Sequence, residues 1–335
     1  MSTIRLGLMG FGRIGRQIYQ LVEKTDDFEV VATSDVAQVD VLHHLLEKSM
    51  GRGSTVKREG NYIVGRHGRT RVLPADHPNE IPWDLFDVDF VIDATSKFRS
   101  RDELSPHIDN GADRVIVSTL PTTALDRLVI YGVNQADISA DDKLVSAGSA
   151  STTAATLALA RVAEKYNIEH ASMTSVHAYT SDQRLQDYAG SDYRRSRSGA
   201  ENIIPNDSPA RTVIPHVLPQ LNDRFTCYAL NVPVQSGSML DLTLVLEDET
   251  VTPEDINRLF IEAAKASPDL IEAIDDPIVS SDVKGSAMSL VVDLQATMKA
   301  GKRTIKMLGW HETLGHAARI LDVARSYARL GGKGS

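Results

Sequence analysis

Apolar residues along this chain fall into short runs that end at glycine or acidic turns, with longer helically spaced stretches between them. Ile4 to Met9 is an apolar run followed at once by Gly10-Phe11-Gly12-Arg13-Ile14-Gly15-Arg16 and a helical stretch through about Lys24. Phe28 to Thr33 reads as the next strand, ending in Ser34-Asp35, and Val39 to Lys48 as a helix. Thr55 to Leu73 reads as two polar strands with turns at Gly60-Asn61 and Gly65-Arg66. Further strands are expected at Phe90 to Ala94, Ala112 to Thr119 and Leu128 to Asn134, with Thr95-Ser96-Lys97-Phe98 at a helix start. This alternation predicts a parallel, doubly wound α/β sheet.

The pattern then changes. Val145 to Thr153 is a strand running into a turn of small residues, followed by an Ala/Leu helix from Ala154 to Lys165 and a strand through Thr174-Ser175-Val176-His177. Leu185 to Pro205 is a long polar segment carrying Arg194, Arg195 and Arg197, and a loop of that length inside a domain is usually functional. Cys227 to Val234 and Ser238 to Leu246 alternate as antiparallel strands, Pro253 to Ala266 is helical, and Met288 to Met298 and Thr304 to Met307 are further strands. A closing helix from about Gly315 to Leu330 is expected to return to the first domain. The second half is therefore α+β with a mostly antiparallel sheet. The expected boundaries are 1–149, completed by about 315–335, and 150–314.

Composition narrows the function classes. A chain of 335 residues with 42% hydrophobic and 24% charged positions can bury two cores. Its net charge of −9 argues against a nucleic-acid surface. No apolar run is long enough to span a bilayer, so no membrane partner is expected. The single cysteine, Cys227, suits a reducing compartment, and Met1-Ser2-Thr3 leads into a strand without a signal-peptide pattern. These features predict a cytoplasmic protein.

Two constellations carry chemistry. Strand, glycine turn and helix start are the context that a dinucleotide fingerprint requires. Gly10 would make the tight turn, Gly12 would let backbone approach a pyrophosphate, and Gly15 would let helix pack on strand, with Phe11, Arg13 and Ile14 between them. Asp35 lies about 20 residues further on, where a carboxylate accepts from ribose hydroxyls and repels a 2′-phosphate, so NAD is the expected cofactor. Thr95 and Ser118, at the ends of later strands, are further candidate contacts. The second constellation is the small-residue turn followed by His177, a side chain suited to proton transfer near neutral pH. A structural histidine remains the alternative, and no metal site is read. At the head of the Ala/Leu helix, where a nucleophile would be aimed, stands Ala150.

Together, Gly10 to Arg16, Val145-Ser146, Thr174 to His177, Asp182-Gln183-Arg184, Arg194-Arg195, Asn202-Ile203-Ile204-Pro205 and Val232-Pro233 resemble, in order and spacing, the phosphorylating glyceraldehyde-3-phosphate dehydrogenase family. The resemblance covers nearly the whole chain. It implies a Rossmann NAD-binding domain, a catalytic domain, a homotetramer and a small aldehyde substrate. In that family a cysteine in Val-Ser-Asn-Ala-Ser-Cys-Thr-Thr-Asn attacks the aldehyde and a histidine activates it. Aligned without gaps, the cysteine position is Ala150, flanked by Ser149 and Ser151, and the histidine is His177. A one-residue slide onto Ser151-Thr152-Thr153 needs a shift before His177 and fits less well. The resemblance further implies that Thr180, Asp182, Arg195, Ser208 and Asn231 lie in the anion and substrate subsites. Asn231 replaces an arginine of the family and cannot form a bidentate fork, and Pro209 lacks a backbone N–H. Trp310-His311-Glu312-Thr313-Leu314-Gly315-His316 is one residue shorter than the family's segment and lacks its asparagine.

Three readings remain open. One is oxidation of a small, anionic or phosphorylated aldehyde through a thiol expected at position 150, with Ala150 arising by engineered replacement or by natural loss. In that case the present chain is inactive in the thioester reaction, because alanine supplies no nucleophile. Another is a nucleotide-binding homologue with a regulatory or assembly role. The third is a thiol-independent alcohol dehydrogenase with His177 as base.

Overall fold

A computed structural model describes residues 3–331; the expected leading residues 1–2 and closing residues 332–335 lie outside that range. The described chain divides into two compact units, residues 3–149 with 317–331, and Ala150–His316.

The first unit runs β1 (Ile4–Met9), α1 (Arg13–Val22), β2 (Phe28–Asp35), α2 (Val39–Met50), β3 (Lys57–Glu59), β4 (Tyr62–Gly65), β5 (Gly68–Pro74), β6 (Phe90–Asp93), α3 (Arg101–Asp109), β7 (Arg114–Val117), β8 (Arg127–Leu128) and β9 (Leu144–Ser146). The nine strands form one sheet in the order β3-β4-β5-β2-β1-β6-β7-β9-β8, parallel except for the β3-β4-β5 meander. Alternation along the central strands sends side chains to opposite faces. Leu6, Leu8, Ile92, Ile116 and Val145 join Ile18 and Tyr19 of α1, and Leu42 and Leu46 of α2, in one core. Val91, Val115 and Val117 join Trp83, Phe98 and Leu104 in a second. Burying both faces makes the sheet doubly wound.

The second unit runs α4 (Ala150–Ala163), β10 (Ile168–Ala178), β11 (Ile204–Asn206), α5 (Ala210–Val217), β12 (Phe225–Val232), β13 (Ser238–Leu246), α6 (Pro253–Ala266), β14 (Ile271–Ile274), β15 (Leu290–Ala300) and β16 (Thr304–His311). Its sheet has the order β11-β12-β10-β13-β16-β15-β14. In β13, buried Leu240, Leu242, Leu244 and Leu246 alternate with half-buried Met239, Asp241, Thr243 and Val245, so a single face is core. The closing helix α7 (Thr313–Leu330) begins in this unit's residues and from Ala317 onward belongs to the first. Ala317, Ile320, Leu321, Ala324 and Tyr327 pack into the core of β1 and α1. Tyr327 donates to Asp142 Oδ2 at 2.7 Å, and burial pushes its phenol well above the usual range.

Several sequence expectations need correction. The two glycine turns between Lys57 and Pro74 make three strands rather than two. Thr95 to Phe98 does not start a helix, because the Asp93 carboxylate takes the Thr95 N–H and folds a turn. The helix starts at Arg101, where Ser100 and Glu103 form a capping box. The apolar run Leu128 to Asn134 is a strand only at Arg127–Leu128. Asn134 accepts the Ile130 N–H and donates to the Leu128 carbonyl, which bends the segment although Val129 and Ile130 are buried. β12 and β13 are not neighbours; β10 lies between them, parallel to β12 and antiparallel to β13. α4 begins at Ala150 rather than Ala154, and β11, α5 and β14 had no clear pattern in the sequence.

Candidate active site

The first unit builds a cradle at the end of β1. Gly10 has φ +89°, and a Cβ there would lie 3.0 Å from Ala94 and Thr95 backbone. A Cβ on Gly15 would come within 2.1 Å of the Gly10 carbonyl oxygen, so only glycine lets α1 start this close to the turn. A Cβ on Gly12 would meet nothing within 4 Å, which leaves its backbone open to a ligand. No side chain caps α1 and its first turn holds no acid, so the positive end of the helix is unmasked. Asp35 is pinned at the rim, accepting from Phe11 N–H at 2.8 Å and from Ala37 N–H at 3.0 Å. Phe11 is buried edge-on to Tyr19, Ile14 is half-buried and Arg13 is exposed. Thr95 is half-buried, and buried Ser118 donates its N–H to the Asp93 carbonyl at 2.9 Å. An anion-receptive helix start, an approachable glycine and an oriented carboxylate fit the pyrophosphate and ribose of a dinucleotide.

At the other constellation, β9 ends in Ser146, whose hydroxyl donates to the Thr119 carbonyl at 2.9 Å and accepts the Gly148 N–H at 3.1 Å. Ser149 follows, half-buried, and Ala150 is the first residue of α4. A side chain there would sit at the helix's positive end; Ala150 offers a methyl group, beside half-buried Ser151. His177 is the penultimate residue of β10, with Nδ1 at 2.6 Å from the Ala178 carbonyl oxygen. A carbonyl only accepts, so Nδ1 carries a proton, and the neutral ring presents its lone pair at Nε2. That is the tautomer of a base.

His177 has two polar neighbours, His311, which was not assigned from the sequence, and Asn231, which was. His311, at the end of β16, lies edge-to-face with His177 at 6.1 Å between ring centroids. It is buried, its Nε2 has no partner, and burial, with His177 and His316 beside it, pushes its pKa down to about 3. On the other side, His177 is in register with Asn231 of β12. Asn231 is buried and its amide donates to Gln183 Oε1 at 2.6 Å, while Asn206 donates to its oxygen. Gln183 Oε1 also accepts the Thr180 N–H at 3.2 Å; the Thr180 hydroxyl donates to Asp182, and Asp182 pairs with Arg195. Thr180, Asp182, Arg195 and Asn231 thus belong to one polar network with Gln183 and Asn206. Both ends of the Asn231 amide are occupied within it.

Ser208 lies elsewhere, meeting the Cys227 thiol just before α5. Burial raises that thiol's pKa, more than Ser208 and Arg211 lower it, so Cys227 is a packed side chain and no nucleophile. Among the described residues, no group of histidine, cysteine and acidic side chains is arranged to hold a metal, and no helix is long and apolar enough to cross a membrane.

Residues 4–101 match the family model for the NAD binding domain of glyceraldehyde 3-phosphate dehydrogenase, and residues 149–313 match that for its C-terminal domain. Glyceraldehyde-3-phosphate dehydrogenase of Streptomyces coelicolor is 36% identical over 329 residues, covering 96% of this chain and 97% of that protein. The enzyme of Geobacillus stearothermophilus is 33% identical over 336 residues, covering 98% and 99%. That of Haloarcula vallismortis is 34% identical over 330 residues, covering 96% and 98%. With a dinucleotide cradle on one unit and a strand-borne histidine on the other, the chain belongs to the glyceraldehyde-3-phosphate dehydrogenase family of oxidoreductases, and its cofactor is NAD.

Proposed function

We propose that the chain oxidises, or in reverse reduces, a small hydroxyl- or aldehyde-bearing molecule with His177 as base and without a covalent intermediate at position 150. Two observations support this reading: α4 begins with an alanine, and on β10 His177 turns Nδ1 to the Ala178 carbonyl. NAD, when bound, supplies the hydride acceptor. An alcohol carries the departing hydride on carbon and the departing proton on oxygen, and His177 Nε2 takes that proton. The hydrate of an aldehyde is an alcohol in the same sense. Its oxidation gives a carboxylic acid directly, so neither thiol nor attacking phosphate is required. Arg195, whose guanidinium has donors beyond the one paired with Asp182, is the arm for any anionic group on the substrate, and Ser149 and Ser151 are polar contacts beside position 150. Asn231 is not a phosphate fork, because its amide is already engaged. The family resemblance supports a homotetramer, and the single cysteine, Cys227, suits the reducing cytoplasm.

The test is NAD⁺ reduction with a panel of small alcohols, aldehydes and their phosphate esters. A turned-over substrate should lose about 10²- to 10⁴-fold in kcat/KM in His177→Asn, with NAD⁺ affinity unchanged by calorimetry. NAD⁺ binding without turnover of any class would sink this reading and favour a nucleotide-binding homologue with an assembly or regulatory role.

A further inference from the structure

The first unit holds a buried polar chain that hydride chemistry does not use. Trp83, His107 and Asp93 are each at most 1% exposed. Trp83 Nε1 donates to His107 Nδ1 at 2.9 Å, with the rings 5.9 Å apart. An indole N–H only donates, so His107 carries its proton on Nε2, which faces Asp93 Oδ2 at 3.5 Å. Asp93 Oδ1 accepts from both the Thr95 N–H, at 2.9 Å, and the Thr95 hydroxyl, at 2.6 Å. The Thr95 oxygen in turn accepts the Lys97 N–H at 3.1 Å. No lysine or arginine pairs with Asp93 among the described residues. A buried carboxylate without a cation is costly and stands only on its hydrogen bonds. An apolar trio would fill the same space at lower cost.

The chain ends at the cradle. Asp93 is in register with Met9, the last residue of β1, and a Cβ on Gly10 would lie 3.0 Å from the Thr95 nitrogen and Cγ2. At the far end Trp83 is wedged on β1, where a Cβ on Gly7 would come within 2.6 Å of its ring. The Thr95 hydroxyl proton is committed to Asp93 and one lone pair to Lys97, so the hydroxyl faces a ligand only as an acceptor. Its complement is a donor group of the nucleotide, of the ribose-hydroxyl kind.

We infer that His107 is a positioning residue of the cofactor site: it orients Asp93, which takes the Thr95 proton and presents Thr95 to NAD as a hydrogen-bond acceptor beside the glycine turn. The inference rests on Thr95 being a cofactor contact, and the experiment separates the two. NAD⁺ affinity is measured by calorimetry for the parent, Thr95→Val, His107→Phe, the double variant and His107→Gln, whose amide can both accept and donate. In parallel, the Trp83 indole N–H resonance, identified with Trp83→Phe, is followed during NAD⁺ titration. Thr95→Val and His107→Phe should each weaken binding about tenfold, the value of one net hydrogen bond. The double variant should be no weaker than either, and His107→Gln should recover most of the affinity. The buried indole resonance should move with NAD⁺ in the parent and stay still in Thr95→Val. Unchanged affinity in Thr95→Val would overturn the contact itself. A weakened Thr95→Val with unaffected or additive His107→Phe would overturn the role of His107, as would an indole resonance that ignores NAD⁺ in the parent. If His107→Phe does not fold, the resonance in the parent and in Thr95→Val decides alone.

Discussion

The two units build their sites with different degrees of interlocking. In the first, every part of the nucleotide cradle is present, and each part constrains another: Gly15 touches Gly10, Gly10 abuts Thr95, and Phe11 fixes Asp35. In the second, His177 stands in a unit that carries a methyl group at position 150, an engaged amide at position 231 and a buried imidazole at position 311. A dinucleotide presents the same surface to every enzyme that uses it, so its cradle tolerates little change. Substrate contacts on a strand end can be exchanged one at a time while the sheet beneath them stays packed.

The sharpest way to break this comparison is Gly15→Val. With only 2.1 Å between a Cβ and the Gly10 carbonyl, α1 must shift and the cradle opens, so NAD⁺ affinity should fall at least 100-fold by calorimetry. Retained affinity would mean that the cradle is as adaptable as the other site. Next is His311. Its folded pKa, about 3, lies below its ordinary value of 6.5, so protons favour the unfolded chain. Its contribution to stability is intact above pH 6.5 and is lost as pH falls toward 3, at about 1.4 kcal/mol per pH unit. Urea melts between pH 7 and 5 should therefore show a shallower pH slope in His311→Phe, with a gain of about 2 kcal/mol over the parent at pH 5. An identical slope would remove the imidazole from the account. Ala150→Cys has the smallest expected effect. A thiol at a helix start, activated by His177 as the family resemblance implies, should be alkylated at pH 7 about tenfold faster than an ordinary thiol, whose pKa is about 8.5, with the parent controlling for Cys227. A rate no faster would show that the second unit has lost the activating geometry along with the nucleophile.

Much of the first unit was legible in the sequence because its signals are local. A glycine turn between strand and helix and an acid after the next strand each depend on neighbours a few residues away, as does the Pro-started helix over Pro253–Ala266 in the second unit. The small-residue turn and the strand of His177 could be read for the same reason. The Asn231 network could not, since Gln183, Asn206 and Asn231 meet only through the pairing of β11 with β12 and the turn after β10. His311 was hidden in the same way: its ring reaches His177 across β13, and register between distant strands leaves no periodic trace. A change from the family's segment was visible there, but not what it touches. Thr95 was misplaced at a helix start because its partner, the Asp93 carboxylate, competes with the helix for its backbone.

The closing helix gives the chain a particular order of assembly. Residues 317–331 complete the core begun by Ile4, Leu6 and Leu8, while Ala150–His316 is a continuous stretch of sequence. On a ribosome, which releases the polypeptide from its amino end, the middle of this protein can reach its final form while the beginning still waits for the end. Until residues 317–331 have been made, the nascent sheet carries an uncovered apolar stripe where Ile320, Ala324 and Tyr327 will settle. A premature stop before Ala317 would thus spare the later-made half and strand the earlier one, the reverse of the usual outcome of truncation.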